Sequence, residues 1–88
     1  MVSENVVVKN PSGLHMRPAS LMTQIATKCK SKITISDGEK DVNPKSILSL
    51  MSAGIKCGAE VKVSCEGECE EKDLRTIVEA IESGLGEL

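Results

Sequence analysis

The stretch Glu60–Glu66, Glu-Val-Lys-Val-Ser-Cys-Glu, alternates without a break: Val61, Val63 and Cys65 on one side, Glu60, Lys62, Ser64 and Glu66 on the other. Successive side chains of a strand point to opposite faces, so this pattern describes a strand buried on one face and wet on the other. A sheet built on such a strand is covered from one side only, which argues against the doubly covered parallel sheets. The chain supplies the covering layer. Leu74, Ile77, Val78, Ile81 and Leu85 form an amphipathic stripe after the acidic run 68–73, which suits a solvated helix start, and Gly84 and Gly86 mark its end. Ala19, Met22, Ile25, Ala26 and Cys29 make another stripe, predicting a helix over about 16–28.

Residues 5–9, Asn-Val-Val-Val-Lys, are β-branched and read as a strand entering the turn Asn10-Pro11-Ser12-Gly13. Residues 32–36 alternate around Ile33 and Ile35, and Asp37-Gly38 is a hairpin signal before a short strand at 40–43. Pro44 ends that strand. Ser46 is a good N-cap for a two-turn helix in which Ile47, Leu50 and Met51 share a face, and Gly54 stops it. The order β-α-β-β-α-β-α predicts an α+β open-faced sandwich, with one mixed or antiparallel sheet and all helices on one face. Strand order stays open. With 88 residues the chain has room for one domain, 1–88. It contains no Phe, Tyr or Trp, so its core is expected to be aliphatic and filled by methionine.

The only histidine lies in the first loop, in Ser12-Gly13-Leu14-His15-Met16-Arg17-Pro18-Ala19. Gly13 permits the positive-φ geometry of a backbone that turns closely around a site, and Pro18 suits the first turn of a helix. A helix starting near Met16 puts His15 at its cap, beside unpaired N–H groups and the positive end of the dipole, where anions bind. The dipole and Arg17 oppose a cationic ring, which leaves a lone pair for nucleophilic attack. Once a phosphoryl group is attached, the same groups stabilise its charge, and Arg17 can give paired hydrogen bonds. A histidine before a helix is most often a cap without chemistry. Gly two residues before it, Arg two after and Pro three after supply turn, counter-charge and helix start together, and that combination favours function.

The run Gly13-Leu14-His15-Met16-Arg17-Pro18-Ala19 resembles the active-site loop of HPr, the histidine-containing phosphocarrier family of the phosphoenolpyruvate-dependent sugar phosphotransferase system. Lys45-Ser46-Ile47-Leu48 with Met51-Ser52-Ala53-Gly54 resembles that family's second signature, and length and element order agree over nearly the whole chain. Met16 departs from the small residue usual there, which bears on partner fit. The resemblance implies a four-stranded antiparallel sheet with the first strand beside the fourth, three helices on one face, and the first two helices flanking a common surface. It implies that His15 takes a phosphoryl group from phospho-enzyme I and passes it to a histidine of the IIA domains of sugar permeases, with Arg17 stabilising the phosphate. That makes the chain a covalent carrier between enzymes rather than a stand-alone enzyme. It also implies regulatory phosphorylation of Ser46 by an ATP-dependent HPr kinase, which taken alone would be a mere helix cap. Met16, Ser20, Ile47, Leu48 and Met51 are then the expected partner-binding residues. Met16 and Leu48 fall off the core stripes, and exposed apolar groups beside a reactive group suit transient docking.

Rival classes are narrower. An HPr-like regulatory module would act mainly through phospho-Ser46 as partner of a catabolite repressor, but His15 argues against that as the sole role. A small thiol or metal protein rests on Cys29, Cys57, Cys65 and Cys69 alone, which include no Cys-x-x-Cys. With no export signal or long apolar run, the expectation is a cytoplasmic, monomeric protein with reduced thiols and no membrane insertion. A formal charge of −2, no basic cluster and no aromatic platform argue against nucleic acid. No cofactor or metal is expected.

Overall fold

A computed structural model describes residues 1–87. The chain runs β1 (Val2–Val7), α1 (Met16–Thr27), β2 (Lys32–Ser36), β3 (Asp41–Val42), α2 (Ile47–Ala53), β4 (Glu60–Glu66) and α3 (Glu70–Glu82). The sheet has the order β1-β4-β2-β3 and every pairing is antiparallel. Strand β4 lies between β1 and β2. Val61, Val63 and Cys65 are buried while Glu60, Lys62 and Glu66 are exposed, so its alternation divides the sheet into a dry and a wet face. Register carries the division sideways, since Ile33 stands opposite Cys65, Ile35 opposite Val63 and Val6 opposite Val61. These side chains meet Met22 and Ala26 of α1, Leu50 of α2, and Ile77, Val78 and Ile81 of α3 in one core. Four antiparallel strands with three helices on one face are the open-faced α+β sandwich expected.

Several local readings need correction. Strand β1 occupies residues 2–7 rather than 5–9: Ser3 and Glu4 have little strand preference, but they pair with Ser64 and Val63, and tertiary pairing overrides propensity. Val8 and Lys9 have already left the ladder, although Val8 still exchanges bonds with Gly58 and Ala59. Strand β3 shrinks to two residues. Of the four methionines only Met22 is fully buried, so β-branched and leucine side chains fill most of the core. Ile47 does not share the buried face of Leu50; it is 42% exposed. Helix α3 stops at Glu82, and Leu85 reaches the core from a turn beyond it with φ 48.

The acidic run before α3 is not a wholly solvated helix start. Asp73 is buried and accepts the backbone N–H of Ser31 at 2.9 Å. Burial pushes its carboxyl up, but the Ser31 donors outweigh this and leave it below its ordinary value. From the other side Lys45 Nζ donates to the carbonyls of Cys29 and Ser31 at 3.1 and 2.9 Å. The α1–β2 connection is thus clamped between a carboxylate and an ammonium, which orients α1 on the sheet. Helix α2 has seven residues, too short to stand alone, and is held at three points. Ser46 Oγ accepts from Ser49 N–H, Leu50 is fully buried, and Gly54 closes the helix in the left-handed conformation.

Candidate functional site

The histidine loop bridges β1 and α1, and its shape follows from three fixed points. Asn10 is fully buried and donates Nδ2 to the Gly13 carbonyl at 2.6 Å, while Gly13 N–H returns to the Asn10 carbonyl at 3.0 Å. Leu14 is fully buried and its N–H bonds the Ile55 carbonyl at 2.9 Å, tying the loop to the segment after α2. Gly13 carries φ 65 against that segment, where a Cβ would strike the Ile55 carbonyl oxygen and come within 2.8 Å of Lys56 Cα. Glycine is required there for space as well as for conformation.

His15 is the N-cap of α1, with extended backbone (φ −139, ψ 155) and no side-chain capping bond. Its ring is exposed and has no hydrogen-bond partner among the described residues. The next residue, Met16, has φ 52, an uncommon conformation for a side-chain-bearing residue that costs about 1–2 kcal/mol. The chain therefore turns twice into the helix, at Gly13 as expected and at Met16, which the sequence did not signal. Together the turns put His15 at the N-cap, directly before the first turn of the helix. That turn contains no acidic residue, so its free N–H groups keep their positive character. Arg17 is exposed and forms no ion pair among the described residues, while Pro18 and Ala19 are buried and anchor the turn.

A cleft of about 280 Å³ opens beside the ring, lined by Ser12, His15, Met51, Gly54, Ile55 and Lys56. His15 thus faces the C-terminal end of α2, whereas Ser46 caps the opposite end. Ser46 is half-buried. Of the expected partner-binding residues, Met16 is 68% and Leu48 74% exposed, large values for apolar side chains, and Ile47 joins them. Met51 lies in the cleft wall, and Ser20 is half-buried on α1. Two participants were not legible beforehand. Lys56 enters the cleft because Gly13 packs on its backbone. Glu87 accepts from Asn10 and Ser12, and these donors, the Asn10 amide foremost, hold its carboxyl below its ordinary value. No spacing rule connects residues so far apart.

Of the cysteines, Cys29 and Cys65 are buried, Cys69 is half-buried, and Cys57, which follows Lys56 of the cleft wall, is exposed. All four are free, and burial pushes the Cys65 thiol to about 11 and that of Cys29 upward, so neither is a ready nucleophile. Among the described residues no group of three His, Cys, Asp or Glu side chains is arranged to hold a metal ion, and no helix is long and apolar enough to cross a membrane.

A sequence model of the family described as "PTS HPr component phosphorylation site" matches residues 2–83. The multiphosphoryl transfer protein of Salmonella typhimurium is 34% identical over 90 residues, covering 99% of this chain but 24% of that protein. The chain therefore spans about a quarter of that curated relative's length. Among solved structures, HPr-C-His from Thermoanaerobacter tengcongensis superposes with a TM-score of 0.94 at 43% identity, covering 100% of this chain and 99% of that one. The phosphocarrier protein HPr from Bacillus anthracis superposes with a TM-score of 0.87 at 34% identity, covering 91% and 95%.

Proposed function

Because the chain belongs to the PTS HPr family, the phosphocarriers of the sugar phosphotransferase system, we propose that it carries a phosphoryl group on His15 from enzyme I to the IIA domains of sugar permeases. The observation that carries the reading is an exposed, unbonded imidazole on the N-cap residue of a helix whose first turn has no acidic residue and whose second residue is Arg17. A ring nitrogen of His15 attacks phosphorus with its lone pair. The new N–P bond forms as the bond from phosphorus to its carrier atom on enzyme I breaks, and that atom keeps the electron pair. Transfer onward runs the same exchange with His15 as the leaving group. Positioning and charge do the work: the helix N–H groups and Arg17 surround the three phosphoryl oxygens, and Arg17 can close a paired contact. Every residue in this scheme comes from one copy of the chain. Incubation with phosphoenolpyruvate and enzyme I tests it. The expected product is a protein-bound phosphate that is labile in acid and stable in base; a chain that gains no such phosphate is not a carrier.

Ser46 is the regulatory site in this reading, phosphorylated by an HPr kinase and then able to meet a catabolite repressor. A phosphate there sits at the N-terminus of α2, a favourable place for negative charge, so it acts on partners rather than on the fold. The seven residues of α2 separate Ser46 from Gly54 at the His15 cleft, eight helical steps or about 12 Å. Two dianions at that distance in water repel by about 1.4 kcal/mol, which physiological salt cuts to about 0.3 kcal/mol. Repulsion through solvent is too weak to shut off transfer. A strong effect requires the charge to enter the docking surface, a reading supported by the exposure of Ile47 and Leu48 next to Ser46. Ser46→Asp is expected to weaken enzyme I binding and slow His15 phosphorylation, with moderate salt restoring only part of the loss. Full recovery in salt would place Ser46 outside the docking surface.

A further inference from the structure

Glu87, beyond α3, reaches the histidine loop across 75 residues of sequence. Its carboxylate accepts Ser12 N–H at 3.0 Å, the Ser12 hydroxyl at 2.8 Å and Asn10 Nδ2 at 3.0 Å. A backbone N–H, a hydroxyl and an amide converging on two oxygens form a donor set suited to oxyanions in general. The set is built into the loop, because Asn10 is fully buried and its amide is also fixed on the Gly13 carbonyl. Ser12 lines the same cleft as His15, and the Arg17 charge acts on Glu87 as well. Hydrogen counting then matters. The Ser12 hydroxyl has one hydrogen to donate and its backbone N–H another, and Glu87 takes both. A phosphoryl group in the cleft and the Glu87 carboxylate cannot both have them.

We propose that Glu87 is a positioning residue for phosphoryl exchange: its carboxylate holds the Ser12 donors in the empty carrier and is displaced from them when His15 is loaded. The inference rests on His15 as the acceptor. Its consequence is that the group is held less firmly than the bare loop would hold it, because each loading must release a bound carboxylate. A carrier gains from this, since a group bound too firmly is not passed on.

The test measures the phosphoryl equilibrium with enzyme I at fixed phosphoenolpyruvate and pyruvate, in the full chain and in Glu87→Gln, Ser12→Ala and the double variant. Glu87→Gln keeps the size and removes the charge, and it is expected to move the equilibrium toward the loaded carrier by about three- to tenfold. In the Ser12→Ala background the same change is expected to have a clearly smaller effect, because one of the two contested donors, the hydroxyl, is gone while the backbone N–H remains. In the unaltered chain, hydrogen exchange at the Glu87 amide, which bonds the Gly84 carbonyl at 2.9 Å, is expected to quicken several-fold on loading. If the unaltered chain loads but Glu87→Gln leaves the equilibrium unchanged or lowers it, or if exchange at Glu87 does not respond, the inference fails and the carrier reading stands. If the unaltered chain takes no phosphate, both fail.

Discussion

His15→Ala is expected to abolish acid-labile phosphate uptake from phosphoenolpyruvate and enzyme I while leaving the fold as stable as before. The two halves of this expectation have separate grounds. Loss is complete because, in the proposed mechanism, the ring nitrogen itself forms the bond to phosphorus, and a serine hydroxyl in its place would give an acid-stable ester. Stability holds because the ring is exposed, makes no capping hydrogen bond and leaves nothing unsatisfied when removed. Surface changes of this kind stay within about 0.5 kcal/mol, or about 4 °C of melting temperature in a domain of this size. Scanning calorimetry and labelling on the same sample check both. Retained label would move the acceptor to another residue, and a large fall in melting temperature would show that His15 has a structural role.

Gly13→Ala is expected to have the largest effect on stability among changes near the site. Gly54 provides the comparison. Both glycines have left-handed backbones, φ 65 and φ 66, so alanine costs about 1 kcal/mol in conformation at either. At Gly54 nothing lies within 4 Å of the added Cβ, whereas at Gly13 it collides with the Ile55 carbonyl and Lys56 Cα. Relief requires the loop to move off residues 55–56, which breaks the 2.9 Å bond from Leu14 and leaves buried polar groups without partners, for a further 1–3 kcal/mol or about that. We expect Gly54→Ala to lower the melting temperature by about 5 °C and Gly13→Ala by about 10–30 °C, with slower loading of His15 in the latter. Equal losses would show that the close approach of the loop to residue 55 does not hold it in place.

What could be read beforehand was local. The alternation at 60–66, the turn at Asp37-Gly38 and the cap at Ser46 each encode their outcome within a few residues, and each appears where expected. The fold class follows from their order. What escaped depends on partners distant in sequence. Ser3 and Glu4 become strand because β4 lies beside them. Asp73 looks like one more acid of a helix start, and donors from the α1–β2 connection, among them the N–H of Ser31, 42 residues away, offset the cost of its burial. The site divides the same way. His15, Arg17 and Pro18 announce themselves by spacing, while the bend at Met16, the entry of Lys56 and the reach of Glu87 arise from how α1, the 55–56 segment and the chain beyond α3 come together.

The place of β4 between β1 and β2 also sets the order in which the molecule can assemble. The first two strands in the chain never touch each other, so β1 has no partner until residues 60–66 exist. The β2–β3 hairpin can close in microseconds, but joining β1 to β4 closes a loop of about 50 residues, at an entropic cost of about 3.5 kcal/mol. During synthesis at roughly 5–20 residues per second, the histidine emerges seconds before the strand that completes its support. The loop that holds His15 hangs from β1 at one end and from Ile55 through Leu14 at the other. A nascent chain thus displays the residue without the site, and the phosphoryl-carrying role proposed for it becomes possible with the final strand pairing rather than with the histidine.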